Sequence, residues 1–338
     1  MERFRIINGE IYDTKCPNKS FLRLAVDLKK AGVKNWYFML KINDVSLAKV
    51  DPHAIDKKTK HTTLNRTEVQ RVMYECRSNL WYYLREVSRI PEAGAPNGVP
   101  YRANRGNISQ AWCLLHGIDS WLCLPRQQGK TLSALALILW VYSFGTTNSH
   151  FIFINKDGEN AKENLRRIKA QIEVLPEYLQ FNSVISDDDG KIVKAISSAT
   201  RMQHPVTNNQ ITIKAKATSY DQALSIARGL TAPILHFDEP EFTSHIKTIV
   251  DNSVSTFDTA ARRSKENGSI YGRIFTCTPT HVHWAWMLVI ASRKTSLTAG
   301  NSCNVSVTDF GNNTENRDNR RIEVSLSLRI WVQRLSKA

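Results

Sequence analysis

Three short stretches hold residue types that handle phosphate. The first is Leu124-Pro125-Arg126-Gln127-Gln128-Gly129-Lys130-Thr131, set between an apolar run and a helix-forming run. A phosphate loop needs backbone N–H groups folded around phosphate oxygens at a helix N-terminus. It also needs a lysine that reaches the β- and γ-phosphates and a hydroxyl that ligates Mg2+. Gly129, Lys130 and Thr131 supply those parts in order, with Gln127 and Gln128 in the loop before them. The first glycine of G-x-x-x-x-G-K-T is missing, because Leu124 stands there. A chance Gly-Lys-Thr at a helix start is the alternative, and the strand-before, helix-after context argues against it. The second stretch, residues 234–239 (ILHFDE), closes a buried-strand pattern with two carboxylates, at the strand end where α/β sheets bind ligands. Asp238 is expected to hold Mg2+, directly or through water, and Glu239 to polarise an attacking water. The third, residues 272–279 (GRIFTCTP), ends a strand pattern in Thr276 and Thr278. Hydroxyls at that tip would sense a γ-phosphate, or threonines simply suit a strand; both readings stand. The first two stretches together predict hydrolysis of ATP with Mg2+.

The elements that must position these residues alternate. Apolar runs at 118–124, 150–154, 211–215, 234–237 and 273–276 read as strands, with helices following the loop at 124–131 and over 158–175. That alternation predicts an α/β fold, a P-loop NTPase with a mainly parallel central sheet covered by helices on both faces. Ahead of it, Asn8-Gly9 between β-prone runs predicts a hairpin over 3–12. Residues 67–89 read as a helix with Thr67 and Gln70 as its capping box. The stretch 91–107 carries Pro91, Pro96, Pro100, Gly94, Gly98 and Gly106, which reads as a linker. The division expected is therefore a smaller, mostly helical α+β region over 1–90, a linker over 91–107, the P-loop ATPase domain over 108–280 and an atypical tail over 281–338. Residues 182–196 read as a hairpin turning near Asp189-Gly190, whose acids Asp187 to Asp189 are a solvated turn rather than a calcium loop.

Composition narrows the class. The 338 residues are 42% hydrophobic, enough for a large core and against wholesale disorder. The six cysteines form no C-x-x-C pair, which points away from a zinc ribbon or a disulfide scaffold and toward a reducing compartment. The N-terminus has no apolar signal core, and the longest apolar run, 132–144, is too short to span a bilayer. No membrane association is expected. Lys plus Arg number 46 against 31 Asp plus Glu, a net charge of +15 that favours a polyanionic partner such as nucleic acid.

With these residues in view, the chain resembles the ATPase motor domain of tailed-phage terminase large subunits over roughly residues 100–280. That family places Arg-Gln ahead of Gly-Lys-Thr, as Arg126-Gln127-Gln128-Gly129-Lys130-Thr131 does. Residues 173–180 (EVLPEYLQ), 217–229 (ATSYDQALSIARG), Asp238-Glu239 and Thr276-Cys277-Thr278-Pro279 are similar to family segments as well. The resemblance implies that Arg126 stabilises charge on the γ-phosphate, that Glu239 is the catalytic carboxylate, and that Thr276 and Thr278 couple hydrolysis to DNA movement. It also implies that Gln110 reads adenine, although a surface helix glutamine fits that position equally well. For partners it implies double-stranded DNA, a procapsid portal, a small terminase subunit and a homo-oligomeric ring when active. The implied location is the host cytoplasm, transiently at the portal vertex.

The tail departs from the family. Residues 281–338 are too few for the RNase H-like nuclease, and their acids Asp309, Glu315, Asp318 and Glu323 lack the strand framework of a two-metal site. His281 and His283 form H-x-H without a third ligand nearby. Nuclease activity is not expected of this chain, and a motor fragment or a disrupted reading frame would account for the tail. A helicase-like P-loop ATPase, and a shortened chain that binds nucleotide or DNA without turnover, are the alternatives.

Overall fold

The computed structural model describes residues 3–278, apart from 60, 182, 186–191, 215, 216 and 230, together with the strand at 305–308. The turn at Asp187 to Asp189, the pair His281 and His283, Cys303 and the tail acids Asp309, Glu315, Asp318 and Glu323 lie outside the described residues.

Strands β1 (Phe4–Ile7) and β2 (Glu10–Asp13) form the expected hairpin, with Asn8 and Gly9 both at positive φ. Helix α1 (Lys19–Lys30) follows, capped by the Asn18 side chain and burying Phe21, Leu24, Ala25 and Leu28 at helical spacing. Helix α2 (Arg66–Ser78) is capped two residues earlier than expected. Its capping box is Asn65 with Glu68, not Thr67 with Gln70, because the Asn65 side chain accepts the Glu68 N–H and the Glu68 carboxylate accepts the Asn65 N–H. The single helix expected over 67–89 is broken. Asn79 leaves helical geometry and caps α3 (Leu80–Tyr82), which runs into a wide π turn ending at Val87.

The linker expected over 91–107 is instead folded. Strands β3 (Arg89–Glu92) and β4 (Ala95–Pro100) pair as a hairpin, and α4 (Arg105–Leu115) starts from the Asn104 cap. A two-stranded ribbon has only edges, so its prolines cost no ladder bond. Gly98 is needed there: at φ +63 a Cβ would lie 2.9 Å from the Ile90 carbonyl oxygen.

The remaining elements are β5 (Ser120–Cys123), α5 (Lys130–Trp140), β6 (His150–Asn155), α6 (Gly158–Glu173), β7 (Ser183–Ile185), β8 (Ile192–Lys194), β9 (Ile196–Ser197), β10 (Arg201–Gln203), β11 (Gln210–Lys214), α7 (Tyr220–Arg228), β12 (Ile234–Asp238), α8 (Ile246–Glu266), β13 (Gly272–Cys277) and β14 (Val305–Thr308). The main sheet runs β14-β5-β13-β12-β6-β11-β10-β9. From β14 to β11 every pairing is parallel, and β10 and β9 add an antiparallel edge. Strand β14 is a difference from the expected tail, since residues 305–308 extend the sheet beside β5 in the same direction.

Side-chain alternation divides the sheet into two faces. Phe151, Phe153, Ile211, Ile234 and Ile274 join one buried cluster with α4, α5 and α6, and that cluster continues without a break into the N-terminal region through Tyr82, Leu84 and Tyr101. Ile152, Ile154, Leu235, Phe237 and Phe275 face α7 and α8. The N-terminal region therefore shares the core of the sheet. Trp140 of α5 donates its indole N–H to the Cys76 carbonyl of α2 at 2.7 Å, and the Asn18 amide reaches the carbonyls of Arg85 and Tyr101 at 3.0 Å each.

A stability prediction follows from this shared core. Trp140→Ala removes a side chain only 4% exposed and should cost about 3–5 kcal/mol, the usual range for large-to-small core changes. Wild type and variant should each melt in one transition by calorimetry. A separate early transition of the N-terminal region would show that the two regions fold apart.

Candidate functional site

The order of the strands sets the site. Strand β13 lies between β5, which leads into the loop at 124–131, and β12, which ends in Asp238. Its tip therefore touches both, and Thr276 and Thr278 sit between the lysine loop and the acids.

The loop is built by backbone conformation. Gln127 and Gly129 have φ of +65° and +70°. A Cβ on Gly129 would meet nothing within 4 Å, so glycine is required there by its left-handed backbone rather than by crowding. Leu124 needs no glycine. It continues the strand, donating its N–H to the Cys277 carbonyl at 3.2 Å, and its side chain is buried. Helix α5 then starts at Lys130 with no side-chain cap, leaving its first N–H groups directed out of the helix end.

Four side chains meet on Asp238. Its Oδ1 accepts from the Thr276 hydroxyl at 2.7 Å and the Thr131 hydroxyl at 3.1 Å. Its Oδ2 accepts from the Asn164 amide at 2.8 Å and, at longer range, the Asn155 amide at 3.5 Å. Thr276 spends its proton on Asp238, so its oxygen accepts from His236 Nε2 at 3.1 Å, which assigns the imidazole tautomer. Burial holds the His236 imidazole below its ordinary pKa, with Asp238 acting in the opposite sense. Beside this cluster Lys130, only 7% exposed, donates to the Thr278 hydroxyl at 2.9 Å. The Thr278 N–H is held by Glu241 at 2.9 Å, and burial raises the Glu241 carboxyl above its usual range.

Glu239 follows at φ +49°, a left-handed conformation of the kind that costs a non-glycine residue about 1–3 kcal/mol and clusters at functional sites. Its N–H is tied to the Thr276 carbonyl at 2.7 Å and its carboxylate pairs with Lys156 at 3.0 Å. Lys156 also lies over the Phe242 ring, 5.9 Å from its centre.

Gly129, Lys130, Thr131, Asp238, Glu239, Thr276 and Thr278 thus converge. Arg126, Gln127 and Gln128 are exposed on the loop beside them, and Arg126 makes no side-chain hydrogen bond among the described residues. Gln110 is on α4 and is buried rather than on the surface. It is 2% exposed, lines a small pocket with Gly106, Ser109, Cys113, Ser120, Trp121 and Leu122, and its amide nitrogen has no hydrogen-bond partner among the described residues.

Four contributors lie outside the motifs. Lys156 and Asn155 follow from the parallel register, which sets Asn155 opposite Asp238. Glu241 follows from the turn after Pro240. Only Asn164 left a trace in the sequence, as an amide inside the buried stripe Ala161, Leu165 and Ile168 of α6.

The donor set fits a nucleotide polyphosphate with its Mg2+. A hydroxyl and a carboxylate oxygen are the hard ligands that cation takes alongside phosphate oxygens. Among the described residues no three His, Cys, Asp or Glu side chains cluster around a metal position. Thr131 and Asp238 would hold the cation, while Lys130 and the start of α5 would face the phosphates. Bound there, Mg2+–ATP would supply an electrophilic phosphoryl group.

The strand order and loop geometry define a P-loop NTPase fold. No family model matches the sequence, and no curated protein matches it. Among solved structures, the chain is similar to the large terminase of bacteriophage HK97 at 12% identity and a TM-score of 0.42, over 81% of this chain and 52% of that one. It thus spans about half the length of the HK97 protein. The large terminase ATPase domain of Thermus phage P74-26 matches at 14% identity and a TM-score of 0.43, over 75% of this chain and 93% of that one. Saccharomyces cerevisiae Dbp5, in a complex with ADP, matches at 11% identity and a TM-score of 0.36, over 62% and 49%. Among the described residues no helix is long and apolar enough to cross a membrane.

Proposed function

We propose that this chain is an ATP-hydrolysing motor of the terminase large-subunit kind, driving double-stranded DNA into a procapsid. The observation that carries the ATPase reading is the junction of Thr131 with Asp238 and of Lys130 with Thr278 beside an uncapped helix start. In this reading Lys130 and Arg126 offset phosphate charge, Thr131 and Asp238 hold Mg2+, and Glu239 orients the attacking water. The Thr276 hydroxyl on Asp238 and the Thr278 hydroxyl on Lys130 make the β13 tip responsive to the phosphate, which suits a coupling role. The packaging part of the reading rests on the motif resemblance around Arg126, Glu239 and Thr276-Cys277-Thr278. Its partners are duplex DNA, a portal, a small subunit and further copies in a ring, working in the host cytoplasm at the portal vertex.

The test is phosphate release from ATP by the purified chain, with Mg2+ or EDTA, and with or without portal-bearing procapsids. Mg2+-dependent release that procapsids stimulate is expected. Nucleotide binding with no release under any condition would overturn the motor reading in favour of a binding chain. DNA affinity gives a second measurement. The net charge of +15 predicts sequence-independent duplex binding. For six to ten phosphate contacts, affinity should fall by about 10³-fold or more between roughly 50 and 200 mM salt. Binding indifferent to salt would remove the electrostatic part of the reading.

A further inference from the structure

Asp238 receives donors on both oxygens, and a carboxylate has about four lone-pair sites. Thr131 and Thr276 take the Oδ1 side, facing the loop, while Asn164 takes the Oδ2 side from α6 at 2.8 Å. Asn164 is 1% exposed, so this bond is made away from water, where a charge-assisted hydrogen bond is strong. Which way the amide points is set by its other neighbour. Arg167 donates to Asn164 Oδ1 at 3.2 Å, and a guanidinium can only donate, so the NH2 group must face Asp238. Arg167 is itself held by Glu163 at 3.1 Å and is 40% exposed. The chain Glu163–Arg167–Asn164–Asp238 therefore runs from the surface of α6 to the candidate cation ligand. A buried amide satisfied for packing alone would need no such alignment toward one carboxylate oxygen.

We propose that Asn164 is a positioning residue for the Mg2+ site: it anchors Asp238 Oδ2, with Arg167 aligning the amide, so that Oδ1 stays presented beside the Thr131 hydroxyl. This rests on the nucleotide-site reading above. Groups that orient a metal ligand typically change metal affinity 10–100-fold when removed.

The experiment titrates Mg2+ into the purified full chain with mant-ADP as a fluorescent probe, so that no turnover is required. Asn164→Leu keeps the branching and the number of heavy atoms and removes the donor. It should need about tenfold more Mg2+ for half-maximal binding, while mant-ADP affinity in EDTA stays at the wild-type value. Arg167→Ala, altered on the exposed side, should shift the Mg2+ midpoint in the same direction by a smaller factor. The double variant Asn164→Leu with Asp238→Asn should need no more Mg2+ than Asp238→Asn alone, because one acts through the other. A wild-type midpoint in Asn164→Leu, or additive losses in the double variant, would overturn the inference and leave the nucleotide site standing. Should Asn164→Leu fail to fold, an unshifted midpoint in Arg167→Ala would overturn it instead. A wild-type chain whose nucleotide binding ignores Mg2+ would overturn the site reading, and the inference with it.

Discussion

Glu239→Gln should bind ATP and Mg2+ as the wild type does and release phosphate at least about a hundredfold more slowly, the lower end of what a positioned general base contributes. Glutamine keeps the shape and one acceptor oxygen but cannot take a proton from water. Two features direct the effect to chemistry rather than binding. The first is that Glu239 lies one residue past the paired end of β12, with its N–H on the Thr276 carbonyl, and among the described residues none of its bonds reaches Thr131 or Lys130. The second is that its charged partner among the described residues is Lys156 at 3.0 Å, on the β6 side. Asp238→Asn should behave differently. It keeps the hydrogen-bond shape but loses the charge for the cation, so the Mg2+ requirement should rise and nucleotide affinity fall. Equilibrium binding of a slowly hydrolysed ATP analogue, beside single-turnover phosphate release, separates the two. Equal loss of binding in both variants would show the division of roles to be wrong.

How far the sequence reveals this site depends on whether a residue works inside a local motif or across strands. Gly129, Lys130 and Thr131 are legible because one loop and one helix start do their work, and the alternating pattern predicts the parallel sheet that brings Asp238 to them. Lys156 was not legible. Its contact with Glu239 exists only because β6 and β12 pair in a particular parallel register, which no local pattern encodes. Asn164 left a faint trace as a polar residue in an apolar stripe, and its partner could be found only in three dimensions. Gln110 is buried against β5, so the surface-glutamine reading is the one that does not hold. The linker reading of 91–107 failed for a similar reason. Pro and Gly mark places where a ladder is interrupted, and a two-stranded ribbon such as β3–β4 tolerates those interruptions.

Lys130→Ala should abolish turnover by orders of magnitude without unfolding the protein. The fold should survive because Lys130 opens α5, where alanine is the best helix former, and because its polar side-chain contact among the described residues is the Thr278 hydroxyl alone. The chemistry should not survive, for two reasons. An ammonium in a site only 7% exposed acts on phosphate charge with little screening by water, and losing one such fixed stabilising group costs about 10²–10³-fold in comparable sites. Its bond to Thr278 also ties the phosphate loop to β13, whose Thr276 holds Asp238, so its removal disconnects the lysine side of the site from the acid side. Thr278→Ala should therefore share part of the defect while retaining the charge: nucleotide affinity stays near wild type and turnover falls by a smaller factor. Single-turnover phosphate release, read beside the melting temperature of each variant, measures both. Wild-type turnover in a folded Lys130→Ala protein would remove the phosphate-loop assignment, and an unimpaired Thr278→Ala would show that the bond between loop and strand carries no part of the reaction.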